Sequence, residues 1–257
     1  MSTVLDSIIE GVLEDVKARE ISHAQLQEQI DAAPAVRDAY AALAAPGLQI
    51  IAEVKRASPS KGVLASIEDP AELACKYEAA GAAVISVLTE ARRFGGSPAD
   101  LVAVRSAVRL PVLRKDFTVT EFQVLETRAL GADLILLIVA ALSDSQLRDY
   151  QAVAHELGLS ALVEIHDEAE LERAVEMDAQ IIGVNARNLK TLEIHEEVFT
   201  RLLPLIPSSR LKVAESGIAT RAQVEIIEQV GAHALLIGET LVRAGDPGVA
   251  IKTLLGR

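Results

Sequence analysis

From Gly47 to the C-terminus, short runs rich in Val, Ile and Leu alternate with amphipathic stretches of about ten to fifteen residues. That alternation predicts an α/β chain built of βαβ units around a parallel sheet. Two further observations close the sheet into a (β/α)8 barrel. The segments AGAAVISV at 80–87, LGADLILL at 130–137 and VGAHALLI at 230–237 read alike, each a glycine at a helix end followed by a buried strand. Their glycines, at 81, 131 and 231, are separated by multiples of 25 residues, a plausible length for one βα unit. Residues 49–257 divide into eight units of roughly 26 residues, as such a barrel needs. A doubly wound open sheet is the alternative, but no two glycines are spaced i, i+2, so its G-x-G-x-x-G fingerprint cannot occur. Neither G-x-x-x-x-G-K nor H-E-x-x-H is present.

The elements follow in order. Leu5, Ile8, Ile9, Val12, Leu13 and Val16 lie at i, i+3, i+4, i+7, i+8 and i+11, one face of an amphipathic helix. A second helical stretch follows Pro34 and ends near Pro46, so residues 1–46 form a helical extension and 47–257 the barrel, all in one domain. Strands are expected at 48–54, 83–88, 111–115, 133–138, 160–165, 181–185, 211–215 and 234–238. Helices are expected at 69–80, 98–108, 119–130, 143–157, 167–177, 195–203, 220–230 and 248–255.

Composition narrows the function. Half of the 257 residues are hydrophobic, enough for a large core. The formal net charge is −12, opposite to the basic excess of a nucleic-acid binder. Aromatic residues make up 3% and Trp is absent, which argues against a base-stacking platform. The longest apolar run, between Asp133 and Asp144, falls short of the ~20 residues that span a bilayer. The acids inside the first apolar stretch are unlike a signal peptide. The single Cys75 forbids an internal disulfide and is expected in the core of the first barrel helix. These features give a cytoplasmic protein with no membrane or nucleic-acid partner and no metal cluster.

Barrel enzymes work at the C-terminal ends of their strands, and there this sequence places ionisable residues. The two-residue period puts Glu53 and Lys55 on the face of Ile51, Lys115 on that of Leu113, and Glu164 on that of Leu162. Asn185 and Arg187 share a face, and Glu215 ends the seventh strand. Any one of these could be a solvated strand end or a buried ion pair holding the barrel. Charges at matching depth on five strands must meet one another or a ligand, because an unpaired buried charge is costly. Two lysines and three glutamates in one mouth suit proton transfer. Lys55, Arg56, Lys61, Arg92, Arg93, Arg114, Lys115, Arg187 and Lys190 also fall at or just after these ends, a local positive field for an anionic substrate. Ser216-Gly217 after the seventh strand, and Gly238 ahead of a short helix from Glu239 to Arg243, fit the phosphate site such barrels often carry there. Among the histidines, His155 and His195 read as helix-surface residues and His233 as the start of a strand on the opposite rim. His166, next to Glu164, is close enough to touch the site but has no partner spacing of a metal ligand. The acids from Glu168 to Glu176 read as a solvated helix face.

Taken together, the residues form a recognisable set. IIAEVKRASPSKG at 50–62, RRFGGSPADL at 92–101, PVLRKDF at 111–117, LLIVAAL at 136–142, ALVEIHDEAEL at 161–171, IIGVNARNL at 181–189, VAESGI at 213–218 and LIGETLVRAGDPG at 236–248 resemble the indole-3-glycerol phosphate synthase family over essentially the whole chain. The resemblance implies a TIM barrel and a carboxy-lyase of tryptophan biosynthesis. That lyase converts 1-(2-carboxyphenylamino)-1-deoxyribulose 5-phosphate to indole-3-glycerol phosphate with loss of carbon dioxide and water, and without metal or organic cofactor. It further implies Lys115 as the general acid of ring closure and Glu164 as the acidic residue of the later proton transfers. Lys55 matches a second essential lysine near the substrate anions and the dehydration step, with Glu53, Asn185 and Glu215 as the polar shell. Ser58, Ser216, Gly217 and Gly238 match phosphate-site positions, and Glu239 stands where some members have a serine. Phe117 and Leu189 match the aromatic-ring pocket, and Arg187 lies beside the carboxylate region. Ala186 replaces a second asparagine and points away from the Asn185 face. The N-terminal helices match an extension that helps close the substrate side.

Other readings remain at this stage. Another phosphate-binding barrel, such as phosphoribosylanthranilate isomerase, would not require Glu53, Lys55, Lys115 and Glu164 together. Loss of one of the two lysines or of Glu164 would favour a non-catalytic binder of phosphate ligands or a regulatory pseudoenzyme, and none is lost; a structural oligomerisation module leaves the polar mouth unexplained. The partner implied is a small anionic sugar phosphate, and the chain is expected to be a monomer or weak homo-oligomer.

Overall fold

A computed structural model of the chain describes residues 3–257. Eight parallel strands close into a barrel: β1 (Gln49–Val54), β2 (Val84–Leu88), β3 (Val112–Lys115), β4 (Leu134–Ile138), β5 (Ser160–Ile165), β6 (Ile181–Asn185), β7 (Leu211–Glu215) and β8 (Ala234–Ile237). Strand β1 closes the ring by pairing with both β2 and β8, Ile51 lying opposite Val84 and Leu236. The fold class predicted from sequence is the one observed, and every expected strand is present within two residues.

Among the described residues, twelve α-helices surround or precede the strands: α1 (Val4–Arg19), α2 (His23–Ala32), α3 (Ala39–Leu43), α4 (Pro70–Ala79), α5 (Pro98–Ala107), α6 (Glu121–Ala129), α7 (Asp144–Glu156), α8 (Glu168–Glu176), α9 (Glu197–Leu202), α10 (Arg221–Gln229), α11 (Glu239–Arg243) and α12 (Pro247–Leu255). Their starts are written in side-chain chemistry. Ser22, Thr120, Ser143 and Thr220 each cap a helix and exchange hydrogen bonds with a glutamine three residues on. Asp69, Asp167 and Asp246 cap three more, each cap contributing about 1 kcal/mol. The repeat glycines stop the preceding helices in the left-handed region, with φ of 92° at Gly81, 81° at Gly131 and 91° at Gly231. Asp178, at φ 62°, does the same where the repeat has no glycine.

Three details differ from the sequence reading. Helix α2 was not expected, although the Ser22–Gln25 capping box marks its start; its buried residues, Leu26 and Ile30, are too few to raise a clear period. The buried stripe of α1 is Leu5, Ile8, Val12 and Val16, while Leu13 is 43% exposed. Cys75 is exposed rather than core: α4 turns Pro70, Ala74 and Tyr77 inward, and Cys75 lies one residue, about 100° of helix, off that stripe. A two-residue hairpin, Ala57–Ser58 against Gly62–Val63, also follows β1. The buried face of α1 packs into the same hydrophobic cluster as the barrel. No helix among the described residues is long and apolar enough to cross a membrane.

The register carries one inner face around the ring. Glu53 pairs with Ser86, Leu88 with Lys115, Ile138 with Glu164, and Asn185 with Glu215. Side chains alternate along a strand, so these residues all point into the C-terminal mouth.

Candidate active site in the barrel mouth

At the centre of the mouth, Lys115 Nζ donates to Glu164 Oε2 at 3.0 Å and lies 3.7 Å from Glu215 Oε2. Glu164 and Glu215 are almost completely buried, at 0% and 1% exposure. Burial alone pulls the Lys115 ammonium down, but the surrounding Glu164, Glu215 and Glu53 carboxylates outweigh it and hold the proton on. For Glu164, burial raises the carboxyl; Lys115 first and His166 second reverse this and bring it down to about 2. Glu215 goes the other way: burial and the charge of Glu164 keep it protonated well above the usual carboxylate range. Neither Glu215 oxygen has a donor partner, as suits a carboxyl that carries its own proton. The mouth therefore sets one ammonium against two buried carboxyls, 3.0 and 3.7 Å away, whose proton affinities are driven in opposite directions.

Lys55 extends from β1, 3.3 Å from Glu53 Oε1 and with its ammonium 5.5 Å from the centre of the Phe94 ring. Phe94 is placed by the RRFGG loop. Buried Glu90 accepts backbone N–H bonds from Arg92, Arg93 and Phe94 at 2.7–3.0 Å, which folds the loop over the mouth. Gly96 lies so close to the Leu88 carbonyl that no side chain fits there. Phe94 was not singled out from sequence; an aromatic in a strand-end loop of so aromatic-poor a chain was the available signal. Asn185 Oδ1 accepts from the Arg187 backbone N–H at 2.9 Å, and the Arg187 guanidinium bridges Ser60 and the Leu192 carbonyl, both at 3.0 Å.

The cleft has two halves that share Glu53, Lys55, Arg187, Ser216 and Leu236. The first is an apolar slot walled by Phe94, Phe117, Leu189 and, from helix α1, Ile8. Ser58, expected with the phosphate residues, lines this half instead, its buried Oγ without a hydrogen-bond partner. The second half is polar and runs past Gly217 and Gly238 to Glu239 and Lys61. Ser216 and Gly217 both adopt left-handed backbone, at φ 70° and 76°. For a non-glycine residue such as Ser216 this is strain of the kind that gathers at functional sites. Glu239 opens α11 and accepts from Lys61 at 2.6 Å, so that an ion pair spans this half.

The broad positive field is narrower than the sequence suggested. Arg56 is bound to Asp100, and Arg92 to Glu14 and Asp15 of α1. Arg114 points outward from β3 and is consumed by Asp116 and Glu126. Lys55, Lys61, Lys115, Arg187 and Arg243 are the cations that line the cleft. No group of three or more His, Cys, Asp or Glu side chains arranged to hold a metal ion occurs among the described residues.

A (β/α)8 barrel whose C-terminal mouth gathers an ammonium and two buried carboxyls of opposite proton affinity beside an apolar slot has the make-up of a barrel enzyme working by acid–base chemistry. The family model for indole-3-glycerol phosphate synthase matches residues 5–254, and the chain belongs to that family. It is 57% identical over 256 residues to the indole-3-glycerol phosphate synthase of a Nocardioides species, covering 99% of this chain and 98% of that protein. It is 54% identical over 256 residues to that of Mycolicibacterium gilvum, covering 99% and 94%. Among solved structures, 3-hexulose-6-phosphate synthase from Salmonella typhimurium superimposes with a TM-score of 0.66 at 15% identity, covering 81% of this chain and 97% of that one. That likeness is one of fold.

Proposed function

We propose that this chain closes the indole ring of 1-(2-carboxyphenylamino)-1-deoxyribulose 5-phosphate, with decarboxylation and dehydration, to give indole-3-glycerol phosphate. The observation that carries the reading is the Lys115–Glu164–Glu215 cluster, buried in the mouth between an apolar slot and a polar cradle. Ring closure needs an electrophilic carbonyl, and the Lys115 ammonium polarises it and donates as the oxygen gains charge. Glu164, anionic beside it, takes up and returns protons as the ring becomes aromatic. Lys55 serves the substrate carboxylate and the departing hydroxyl, with Glu53 and Asn185 fixing its neighbours. Phe117 and Leu189 hold the aromatic ring in the slot, with Arg187 and Ser58 near its carboxylate. Ser216, Gly217 and Gly238 present backbone N–H groups to the phosphate, and Glu239 acts there by holding Lys61. The helices of residues 1–46 belong to the same domain as the barrel and supply part of the slot wall. The protein works on a small anionic sugar phosphate in the cytoplasm, with no membrane or nucleic-acid partner, as a monomer or weak homo-oligomer.

The test is direct. Purified protein mixed with the carboxyphenylamino deoxyribulose phosphate should yield indoleglycerol phosphate, followed by its indole fluorescence. A folded wild-type protein that forms none refutes the reading.

A further inference from the structure

His166 lies just beyond Glu164 on the far side from Lys115. The two Glu164 oxygens face different ways: Oε2 takes the Lys115 bond, while Oε1 has no hydrogen-bond partner and is 3.6 Å from His166 Nε2. That ring nitrogen is itself buried and without a partner. The opposite ring nitrogen, Nδ1, is 2.9 Å from Glu170 Oε2, and the same oxygen accepts the His166 backbone N–H at 2.8 Å. Glu170 is in turn fixed on the first turn of α8, its N–H bonded to the cap residue Asp167. An imidazole whose Nδ1–H is committed to a carboxylate gains and loses its second proton at Nε2, here 3.6 Å from the open oxygen of the buried carboxylate.

We propose that His166 is a proton relay between Glu164 and Glu170, connecting the closed mouth with the rim. The assignment rests on the role given to Glu164 above. In the outward direction, protonated Glu164 gives its proton from Oε1 to Nε2 of the neutral ring, which becomes imidazolium while Glu164 returns to carboxylate. The imidazolium then releases its Nδ1 proton to the Glu170 carboxylate, whose side chain is 16% exposed and hands the proton to water. Run inward, the same steps recharge Glu164. Only O–H and N–H bonds form and break, and charge is conserved at each step. The 3.6 Å gap is the loose spacing of an unliganded site that tightens around its substrate. The charged groups facing the ring are Glu164 on its own strand, Glu170 on α8 and, farther off, Lys115 on β3. Burial lowers the imidazole, but the hydrogen bond to Glu170 and the charge of Glu164 outweigh it, so the ring holds a proton more readily than a free histidine.

The experiment is steady-state kinetics on His166→Asn, His166→Ala and Glu170→Gln, with Lys115→Ala alongside and folding followed by circular dichroism. The relay predicts that both His166 variants lose roughly 10- to 100-fold in kcat, the low part of the general acid–base range, with KM little changed. It also predicts that imidazole in the buffer restores His166→Ala in proportion to its concentration. Glu170→Gln removes a charge that raises the ring, so the acid limb of the kcat–pH profile should move to lower pH. Folded His166 variants with wild-type kcat and pH profile, or a His166→Ala loss that imidazole leaves untouched, overturn the relay. If those results come while Lys115→Ala is inactive, the relay alone has failed. A wild-type chain without turnover removes the reading of Glu164 and the relay together.

Discussion

Arg114 and Lys115 are neighbours on one strand, both cations, both drawn into buried carboxylates, yet their surroundings differ in kind. Arg114 points outward between β3 and α6, at 1% exposure, and every direction of its guanidinium is answered. It reaches Thr89 Oγ1, the Gln123 carbonyl, Thr127 Oγ1, Asp116 and Glu126 at 2.7–3.3 Å. Glu126 is also bound by Arg19 of α1 at 2.8 Å, so the network fastens the extension to the barrel. Lys115 points inward, and the carboxylates around it are left with open oxygens on Glu164 and Glu215. Buried polar groups in folded proteins are nearly always paired. The closed Arg114 network holds the fold together, whereas the open oxygens beside Lys115 lie in the cleft, where a substrate can reach them.

Substituting each neighbour tests that contrast. Lys115→Ala should keep the fold and lower kcat by about 10²–10⁴-fold while KM changes far less, because the phosphate and carboxylate contacts remain. Single-turnover kinetics on the folded variant decide it, and a near-normal rate would return Lys115 to the structural side. Lys115→Arg should not rescue, since the guanidinium fork reaches differently and gives up its proton even less readily. Arg114→Ala should do the reverse. It takes the counter-ion from buried Asp116 and leaves Glu126 to Arg19 alone, a cost of about 3 kcal/mol at the low end for a broken buried pair, seen as a lower denaturation midpoint with little intrinsic change in kcat per folded molecule. Deletion of residues 1–44 removes the Ile8 wall and the Arg19–Glu126 bond. It should lower kcat/KM on the order of tenfold through poorer substrate positioning, and an equally active and equally stable truncation would show the extension to be dispensable.

The smallest effect concerns pH. Glu215 binds its proton more tightly folded than unfolded, so its contribution to stability is complete below the unfolded carboxyl range and fades as pH rises through the raised folded value. Glu215→Gln cannot ionise. It should gain stability relative to wild type as pH increases, and thermal melts of both proteins across a pH series would show the two curves diverging. Curves that stay parallel would mean that Glu215 is ionised in the folded protein.

The inward face of the mouth was legible in the sequence because a strand's two-residue period and the barrel's polarity fix it without side-chain detail. Glu53, Lys55, Lys115, Glu164, Asn185 and Glu215 needed nothing more. The direction of Arg114 follows from the same alternation, yet its charge drew it into the expected positive field. That field is narrower than expected because the partners that neutralise part of it, Glu14, Asp15, Asp100 and Glu126, are distant in sequence or belong to other helices. Helix α2 was hidden for a different reason. It shows little of its apolar face in the sequence, and the Ser22–Gln25 exchange that starts it is a two-residue signal. The His166 contact with Glu170 is an i, i+4 relation across a strand-to-helix turn, which neither a strand nor a helix period reveals.

Two glycines in the mouth act as reserved volume. A methyl group at Gly183 would overlap the Glu215 carboxylate, and one at Gly238 would come to 2.5 Å from Glu53 Oε1. Each glycine and its acid thus occupy a single shared space and behave as one unit of inheritance. An alanine at either glycine meets the opposing glutamate first, so the order in which changes arrive bears on which are tolerated. In a library that varies both positions of a pair, strong epistasis is expected: substitutions at Gly238 become permissible after Glu53 has been shortened, and those at Gly183 after Glu215 has. Such a chain could drift to a different mouth only by surrendering the acid first, which ties the evolvability of this barrel to residues that have no side chain at all.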